Sequence, residues 1–346
     1  MAYPILAANS TWFTQGNTTV TRASITQINI VDSYTPTGNE NASWNADVNN
    51  SGSIKCYVNG TVLTIAGNGS GKIAMNADSS FAFATATGTD RFSNVTSIVG
   101  ANLLDTSNVT AMNRMFQLAS SLVSVDVSTW NTSKVTTLQG MFDRASSLTA
   151  LACENWDTSS VTNMGAVFQG AIGIISLNLS KWKTDKVTTM SNMFMSQESL
   201  GEMALTTVGN ISGWNVSKVT TMASMFRYCT NLTSLNLSNW NVSQVTTFKN
   251  MFYDCHNLTL NISNWNVSNL CTDISYMFNK CYSITELDLS NWNTSNVTTM
   301  ATMFQACNSL RTLNLTNWNF SKCTNMSYMF NNCTNLITII CNNWNT

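Results

Sequence analysis

The stretch Asn291–Leu310, NWNTSNVTTMATMFQACNSL, returns as NWNVSQVTTFKNMFYDCHNL from Asn239. Looser copies run from Leu104 to the last residue. Each copy is headed by a Trp, at Trp130, Trp156, Trp182, Trp214, Trp240, Trp265, Trp292, Trp318 and Trp344. Most intervals are 26 residues; one is 25, one is 27 and one is 32. Self-similarity at a fixed period of roughly 20–29 residues constrains the fold more than any other feature, because it is the signature of a leucine-rich-repeat solenoid. One unit cannot bury its own apolar face, so neighbours must stack and complete the core between them.

The unit reads L-x-x-L-x-L-S-N-W-N-x-S-x-V-T-x-M-x-x-M-F-x-x-C. Leu232, Leu235 and Leu237 alternate with polar residues and predict a short strand. Asn241 and Ser243 are turn formers whose side chains bond nearby backbone. Val245 and Phe248 predict a second extended piece. Met251, Phe252 and Cys255, at i, i+1 and i+4, predict a single helical turn that closes the rung. The expected fold is a β-rich α+β solenoid, a right-handed stack of about nine rungs preceded by a small N-terminal β domain.

With those residues in view, the unit resembles the BspA-like leucine-rich repeat of bacterial and phage surface proteins. The form matched is the 26-residue one, with its LSNWNTSNVTxMxxMFxxCxxL consensus. The resemblance covers Leu104 to Thr346, about two-thirds of the chain. It implies a solenoid, a role in adhesion or surface recognition, and no catalytic site. Ala119, Ala145, Ala171 and Ser196 stand where later units carry Cys, and Ala152 and Cys153 disturb one strand. These changes are conservative in size and leave the fold expectation intact.

Residues 1–103 lack the repeat. Residues 1–20, polar and poor in strand signals, are expected to be an N-terminal attachment arm. Residues 21–103 are expected to form a small β domain capping the solenoid of residues 104–346. Ser53–Val58 and Thr61–Ala66 flank Asn59-Gly60, which predicts a hairpin with a type I′ turn. Lys72–Met75 would add a third strand after the GNGSG loop, and Ile25, Ile28 and Ile30 mark another.

Charged residues make up 10% of the chain, against about 25% in an ordinary soluble domain. Roughly two residues in five are Asn, Ser or Thr. A net charge of −1 leaves no electrostatic footprint for nucleic acid. No run reaches the ~18 apolar residues of a membrane helix, so no membrane insertion is expected. The start, MAYPILAANSTWF, lacks the basic and apolar regions of a secretory signal. A surface of extracellular character on a chain without an export segment fits a virion component, made in the cytoplasm and released by lysis. The alternative location is a bacterial cell surface.

Chemistry finds little purchase. Cys229, Cys255, Cys281, Cys307 and Cys333 recur every 26 residues, and stacking would bring them within disulfide reach. The same slot accepts Ala and Ser, so the series reads as buried free thiols filling a small volume. No C-x-x-C occurs, and no metal or cofactor is expected. His256 is the only histidine, and it points away from its neighbour Cys255, so triad chemistry has no second partner. GNGSGK at Gly67–Lys72 fails as a phosphate loop, with Ala66 at the first Gly position and Ile73 after the Lys. The chain is not expected to be an enzyme. The Trp series reads as architecture, Met222, Met225, Met300 and Met303 as core, and the sequons at Asn131, Asn215 and Asn293 as by-products of the repeat.

Recognition is expected where rungs depart from the template on their exposed side. The first such place is the six-residue expansion before Trp214, TTVGNISG, with Thr206, Thr207, Val208, Asn210 and Ile211 as contacts. The second is the outward row of the strand wall: Asp126, Asn178, Asn236, Asp288 and Asn314. The third is the last strand, LITIICNNW, whose Ile337 and Ile340 replace polar residues and mark a contact with another copy or partner. The function expected is a non-enzymatic phage virion surface protein, of tail- or head-fibre type, binding host cell-surface glycan or protein. It would join other virion proteins through its N-terminal part and form a homo-oligomer. The alternatives are a bacterial surface adhesin and a structural capsid decoration protein.

Overall fold

The computed structural model describes residues 3–85 and 89–342. Trp344 therefore lies outside the described residues. The chain forms two compact units, Met1–Val161 with Ala171–Ile174, and Thr162–Gly170 with Ile175–Thr346.

The first unit opens with a one-turn helix, α1 (Thr11–Thr14), followed by β1 (Gln27–Val31), β2 (Ala42–Asn45), β3 (Lys55–Asn59) and β4 (Val62–Ala66). Then come β5 (Ile73–Ala74), β6 (Ser97–Val99), β7 (Leu104–Asp105) and β8 (Ser124–Val125). One sheet has the order β2-β3-β4-β1-β6-β8. Its first three strands pair antiparallel, and β4, β1, β6 and β8 are parallel. Ile28 and Ile30 turn one face of β1 into the core while Gln27 and Asn29 stay half-buried. The sheet passes from β1 to β8 without a break at residue 103.

Three expectations for this region change. The hairpin β3–β4 forms, but Asn59 pairs with Val62, so its central residues are Gly60 and Thr61. Positive φ is needed only at Gly60, at 60°, the pattern of a turn with glycine first rather than of type I′. The predicted third strand leaves the hairpin: β5 pairs in parallel with β7. The glycine loop steers it there, because Gly67 and Gly69 donate to the Val31 and Asp32 carbonyls and Gly71 donates to the Asp32 carboxylate. The predicted arm is packed down. Leu6, Trp12 and Phe13 are buried, the Trp12 indole donates to the Ala82 carbonyl at 2.7 Å, and the Trp44 indole donates to the Trp12 carbonyl at 2.8 Å. Two large rings gain more from burial than the segment loses in chain freedom.

The second unit holds β9 (Ser234–Asn236), β10 (Thr259–Asn261), β11 (Glu286–Asp288), β12 (Thr312–Asn314) and β13 (Thr338–Ile340). They form a strand wall of parallel pairs, β9 with β10 and β11 with β12 and β13. The L-x-L pattern works as predicted, with Leu235 and Leu237 inward and Ser234 and Asn236 outward. On a second wall the predicted extended piece pairs one residue at a time, as Thr221 with Thr247, Thr247 with Asp273 and Asp273 with Thr299. The Thr after each Val gives both its N–H and its hydroxyl to one carbonyl of the preceding rung, as Thr246 does to Thr220 at 2.8 and 2.9 Å.

The predicted helical turn is absent. Across Met222–Cys229 the N–H groups alternate in duty. Those of Met225, Arg227 and Cys229 donate to the third residue back, while those of Ser224, Phe226 and Tyr228 donate to Lys249, Met251 and Tyr253 of the next rung. In a helix Phe226 and Tyr228 would spend their donors on Met222 and Ser224, within the segment. Stacking instead demands that alternate donors point along the pile, and the backbone meets that demand with left-handed residues every fourth position. Ser224 has φ 57° and Tyr228 has φ 62°, and the later rungs repeat the pattern.

Two aromatic columns run inside. In the second unit Phe168, Phe194, Phe226, Phe252, Phe278, Phe304 and Phe330 stack at 5.3–5.9 Å between centroids. In the first, Phe83, Phe116 and Phe142 stack at 5.3 Å. The Trp residues from Trp130 to Trp318 are at most 5% exposed. Most of their indoles donate back to a carbonyl of the preceding unit, as Trp240 does to Ile211 and Trp265 to Leu237; Trp292 is an exception. The Trp series is architecture.

Ala306 occupies one of the left-handed positions, at φ 59°. That conformation costs a Cβ-bearing residue roughly 1–2 kcal/mol, against about 0.5–1 kcal/mol of chain entropy for glycine. Ala306→Gly is expected to raise stability by about 0.5 kcal/mol, read as a higher urea midpoint at unchanged slope. A loss of stability, as the same change gives within a helix, would contradict the turn geometry.

Candidate functional site

The outward row of the strand wall is present, but its oxygens are employed. Asp126, Asn178, Asn236, Asp288 and Asn314 each accept, through Oδ1, the backbone N–H two residues on, at 3.0–3.4 Å. Ser128, Ser180, Ser238 and Thr316 add a hydroxyl bond to the same atom. These residues turn the chain from strand to Trp corner. Their first role is to end the strand.

The expansion before Trp214 lies elsewhere than its sequence position suggests. Thr206–Val208 fill the strand place of their rung: Ser176 bridges Thr207, and Leu177 and Leu179 donate to the Thr207 and Val208 carbonyls. Val208 and Ile211 are 1% and 0% exposed, so both are core residues and cannot meet a ligand. Thr206, Thr207 and Asn210 do face outward. Five of the six added residues are Gln197–Gly201, a tight loop closed by pairing of its own ends. The sixth sits at Gly209-Asn210, where Gly209 has φ 75° and lies so close to Asn178 that a Cβ would meet its Oδ1 at 2.7 Å. Ser196, expected in the Cys slot, instead donates to the Arg227 carbonyl as Tyr228 donates to Tyr253. It is buried just before the loop begins.

The groove that the strand wall does offer comes from the two other irregular intervals. The 25-residue unit has lost one residue between Leu258 and Thr259, and the 27-residue unit has gained one at Ser268–Leu270, where Leu270 is left exposed. Among the described residues no ladder joins β10 to β11. The Trp292 indole, in the unit after the short strand, is buried without an acceptor. The wall opens here into a groove of about 460 Å³. Leu260 and Ile340 supply apolar surface, and Asn261, Glu286, Asp288 and Asn314 supply polar groups. Bonds from the Ser290 hydroxyl and backbone N–H hold the Asp288 carboxyl below its usual pKa, so it stays charged at neutral pH.

Of the residues expected at the surface, the groove gathers Asp288, Asn314 and Ile340. Asp126, Asn178 and Asn236 are not part of it. Ile337 stands outside the groove at 80% exposure, next to β13. Leu260, Asn261 and Glu286 were not singled out from sequence, although the paired 25- and 27-residue intervals marked their place. Cys229, Cys255, Cys281 and Cys307 are free and buried, each thiol donating to the preceding rung's Phe carbonyl at 3.0–3.4 Å. The slot therefore rewards a weak donor as well as small volume. His256 faces the Asp254 carboxylate, which also takes Lys280 at 3.2 Å.

The profile of a family described as "Mycoplasma protein of unknown function, DUF285" matches residues 82–206, 149–233, 174–287 and 271–346. Among solved structures, the chain is similar to a leucine rich cell surface protein from Faecalibacterium prausnitzii A2-165. Identity is 15%, 79% of each chain is covered, and the TM-score is 0.32. TLR13 in its complex with ssRNA13 is 13% identical over 79% of this chain and 59% of that one, with a TM-score of 0.17. Likenesses this remote carry no argument. Comparison with curated proteins gives no match.

Burial pushes the Cys271 thiol up to about 12 and the Cys255 thiol higher still. A thiol reagent at pH 8 is expected to label Cys323 and Cys341 in the native protein and all ten cysteines only after unfolding. Native labelling of Cys255 as fast as Cys323 would show that the stack is open.

Proposed function

We propose that this chain, which belongs to the DUF285 family, is a non-enzymatic surface-recognition protein. In this reading it is a component of tail- or head-fibre type on the outside of a phage particle, and it binds host cell-surface glycan or protein in the strand-wall groove. The observation that carries the proposal is the groove itself. It sits where two successive units break the template, and there the molecule gives up both a strand pairing and an indole hydrogen bond. Lost bonds at a buried site are a standing cost, and such costs concentrate where a surface is used. The volume falls within the roughly 300–1,000 Å³ of small-ligand sites, and an apolar floor with a few aimed polar groups suits recognition. The display on a particle draws its support from the resemblance of the repeat to those of bacterial and phage surface proteins.

Many copies on one surface would convert weak single contacts into firm attachment. Purified protein is expected to bind host cells, and the double variant Glu286→Gln/Asp288→Asn to bind at least about tenfold more weakly at an unchanged thermal midpoint. Both side chains are exposed, so folding should not suffer. Equal binding by the variant would remove the groove from the mechanism. Finding the chain by mass spectrometry in purified particles, rather than in host envelopes, checks the location.

A further inference from the structure

Charge is scarce in this chain, yet one place on the turn wall of the second unit collects Glu198, Glu202, Arg227, Asp254, Lys280 and the single histidine. Four of the eight tyrosines, Tyr228, Tyr253, Tyr276 and Tyr282, stand in the same segments. The five-residue loop explains why. Its rung leaves the template at Ser196, whose N–H donates to the Arg227 carbonyl, and rejoins it at Met203, whose N–H donates to the Tyr228 carbonyl. The excursion is thus pinned on both sides of the Arg227–Tyr228 peptide, beside the aromatic row.

Arg227 holds its guanidinium 5.4 Å from the Tyr228 ring centre and 5.0 Å from that of Tyr253. Those rings lie 5.6 Å apart, and Tyr276 follows at 6.2 Å. Among the described residues Arg227 pairs with no carboxylate, and its Nε is buried without an acceptor. Asp254 pairs through Oδ2 with Lys280 and faces His256 through Oδ1, and Glu202 accepts the Thr230 hydroxyl at 2.8 Å. Cation–π contact steadies the Arg227 head, but it leaves planar donors without partners next to half-buried aromatic faces. The buried Nε is out of a ligand's reach, so the terminal N–H groups, which bond no described residue, are the donors a ligand oxygen would meet.

We infer that Arg227, Tyr228 and Tyr253 form a saccharide-binding site, taking an uncharged linear oligosaccharide that runs along the row toward Tyr276. Its ring C–H faces lie on the tyrosines, and its hydroxyl oxygens accept from Arg227. Two cations against three carboxylates leave no net attraction for an anionic polymer. The Tyr228, Tyr253 and Tyr276 rings, 5.6 and 6.2 Å apart on successive rungs, suit a chain of repeated rings. This site is on a different wall from the groove and does not rest on it.

The test uses the full chain with chitotriose and maltotriose as probes, read by saturation-transfer NMR and calorimetry. At least one trisaccharide is expected to bind. Arg227→Met should weaken it at least about tenfold, and Tyr253→Phe, which keeps the ring, should stay within about twofold. Circular dichroism and the thermal midpoint confirm that each variant folds. Glu286→Gln/Asp288→Asn should leave this binding unchanged. The assignment is overturned if neither sugar binds, if Arg227→Met binds like the parent, or if binding follows the groove variant instead.

Discussion

Hydrogen bonding from rung to rung is the constraint on which everything else in this protein depends. A 26-residue rung has little helix and strands of only two or three residues in which to satisfy its backbone. Nearly every buried N–H and C=O must find a partner, and the neighbouring rung is the partner at hand. The turn wall shows the solution most clearly. One N–H closes a local turn, the next reaches the following rung, and left-handed residues reset the backbone so that the alternation can repeat. Such residues are strained when they are not glycine, and the stack tolerates that strain because each one aligns two inter-rung bonds.

The unusual composition follows from the same demand. Threonine after valine doubles a bond to one carbonyl. Buried threonines such as Thr106 and Thr294 both donate to and accept from an Asn backbone in the next rung. Asn and Asp end the strands by accepting the N–H two residues on. Side chains that looked like a neutral surface prepared for a ligand are in large part the mortar between rungs. The two proposed recognition sites lie where the mortar fails or is displaced, at the shortened strand at Leu258–Thr259 and the loop at Gln197–Gly201. Both are changes of length. An insertion or deletion cannot be absorbed by a ladder whose register is fixed on three walls, so it must open a groove or raise a loop.

The two sites differ in character. The groove is a gap in a wall, with aliphatic floor and carboxylate rim. The turn-wall site is an addition, in which an inserted loop stands beside a row of tyrosines around an arginine without a partner. Among the described residues no group of three His, Cys, Asp or Glu could hold a metal ion.

The Trp-headed period, the inward Leu–x–Leu pairs and the architectural role of Trp and Cys could be read directly from the chain. Each depends on local spacing and on which side chains can share a core. The hairpin at Gly60 was visible for the same reason, although its turn type was not. The helical corner was misread because Met-Phe-x-x-Cys has helical spacing, and only the neighbour's carbonyls decide that the donors leave the segment. The packed N-terminus was missed because its polar residues mask Trp12 and Phe13, whose burial depends on Trp44 and Phe92 far along the chain. The inserted residues were assigned to TTVGNISG because sequence reports that an interval is long but not which residues hold the register; the bond accepted by Ile175 and those donated by Leu177 and Leu179 settle that. Sequence by itself determined that this chain must stack, because period and apolar pattern are properties of one unit. Tertiary structure decided where the stack is interrupted, because an interruption exists only between two units.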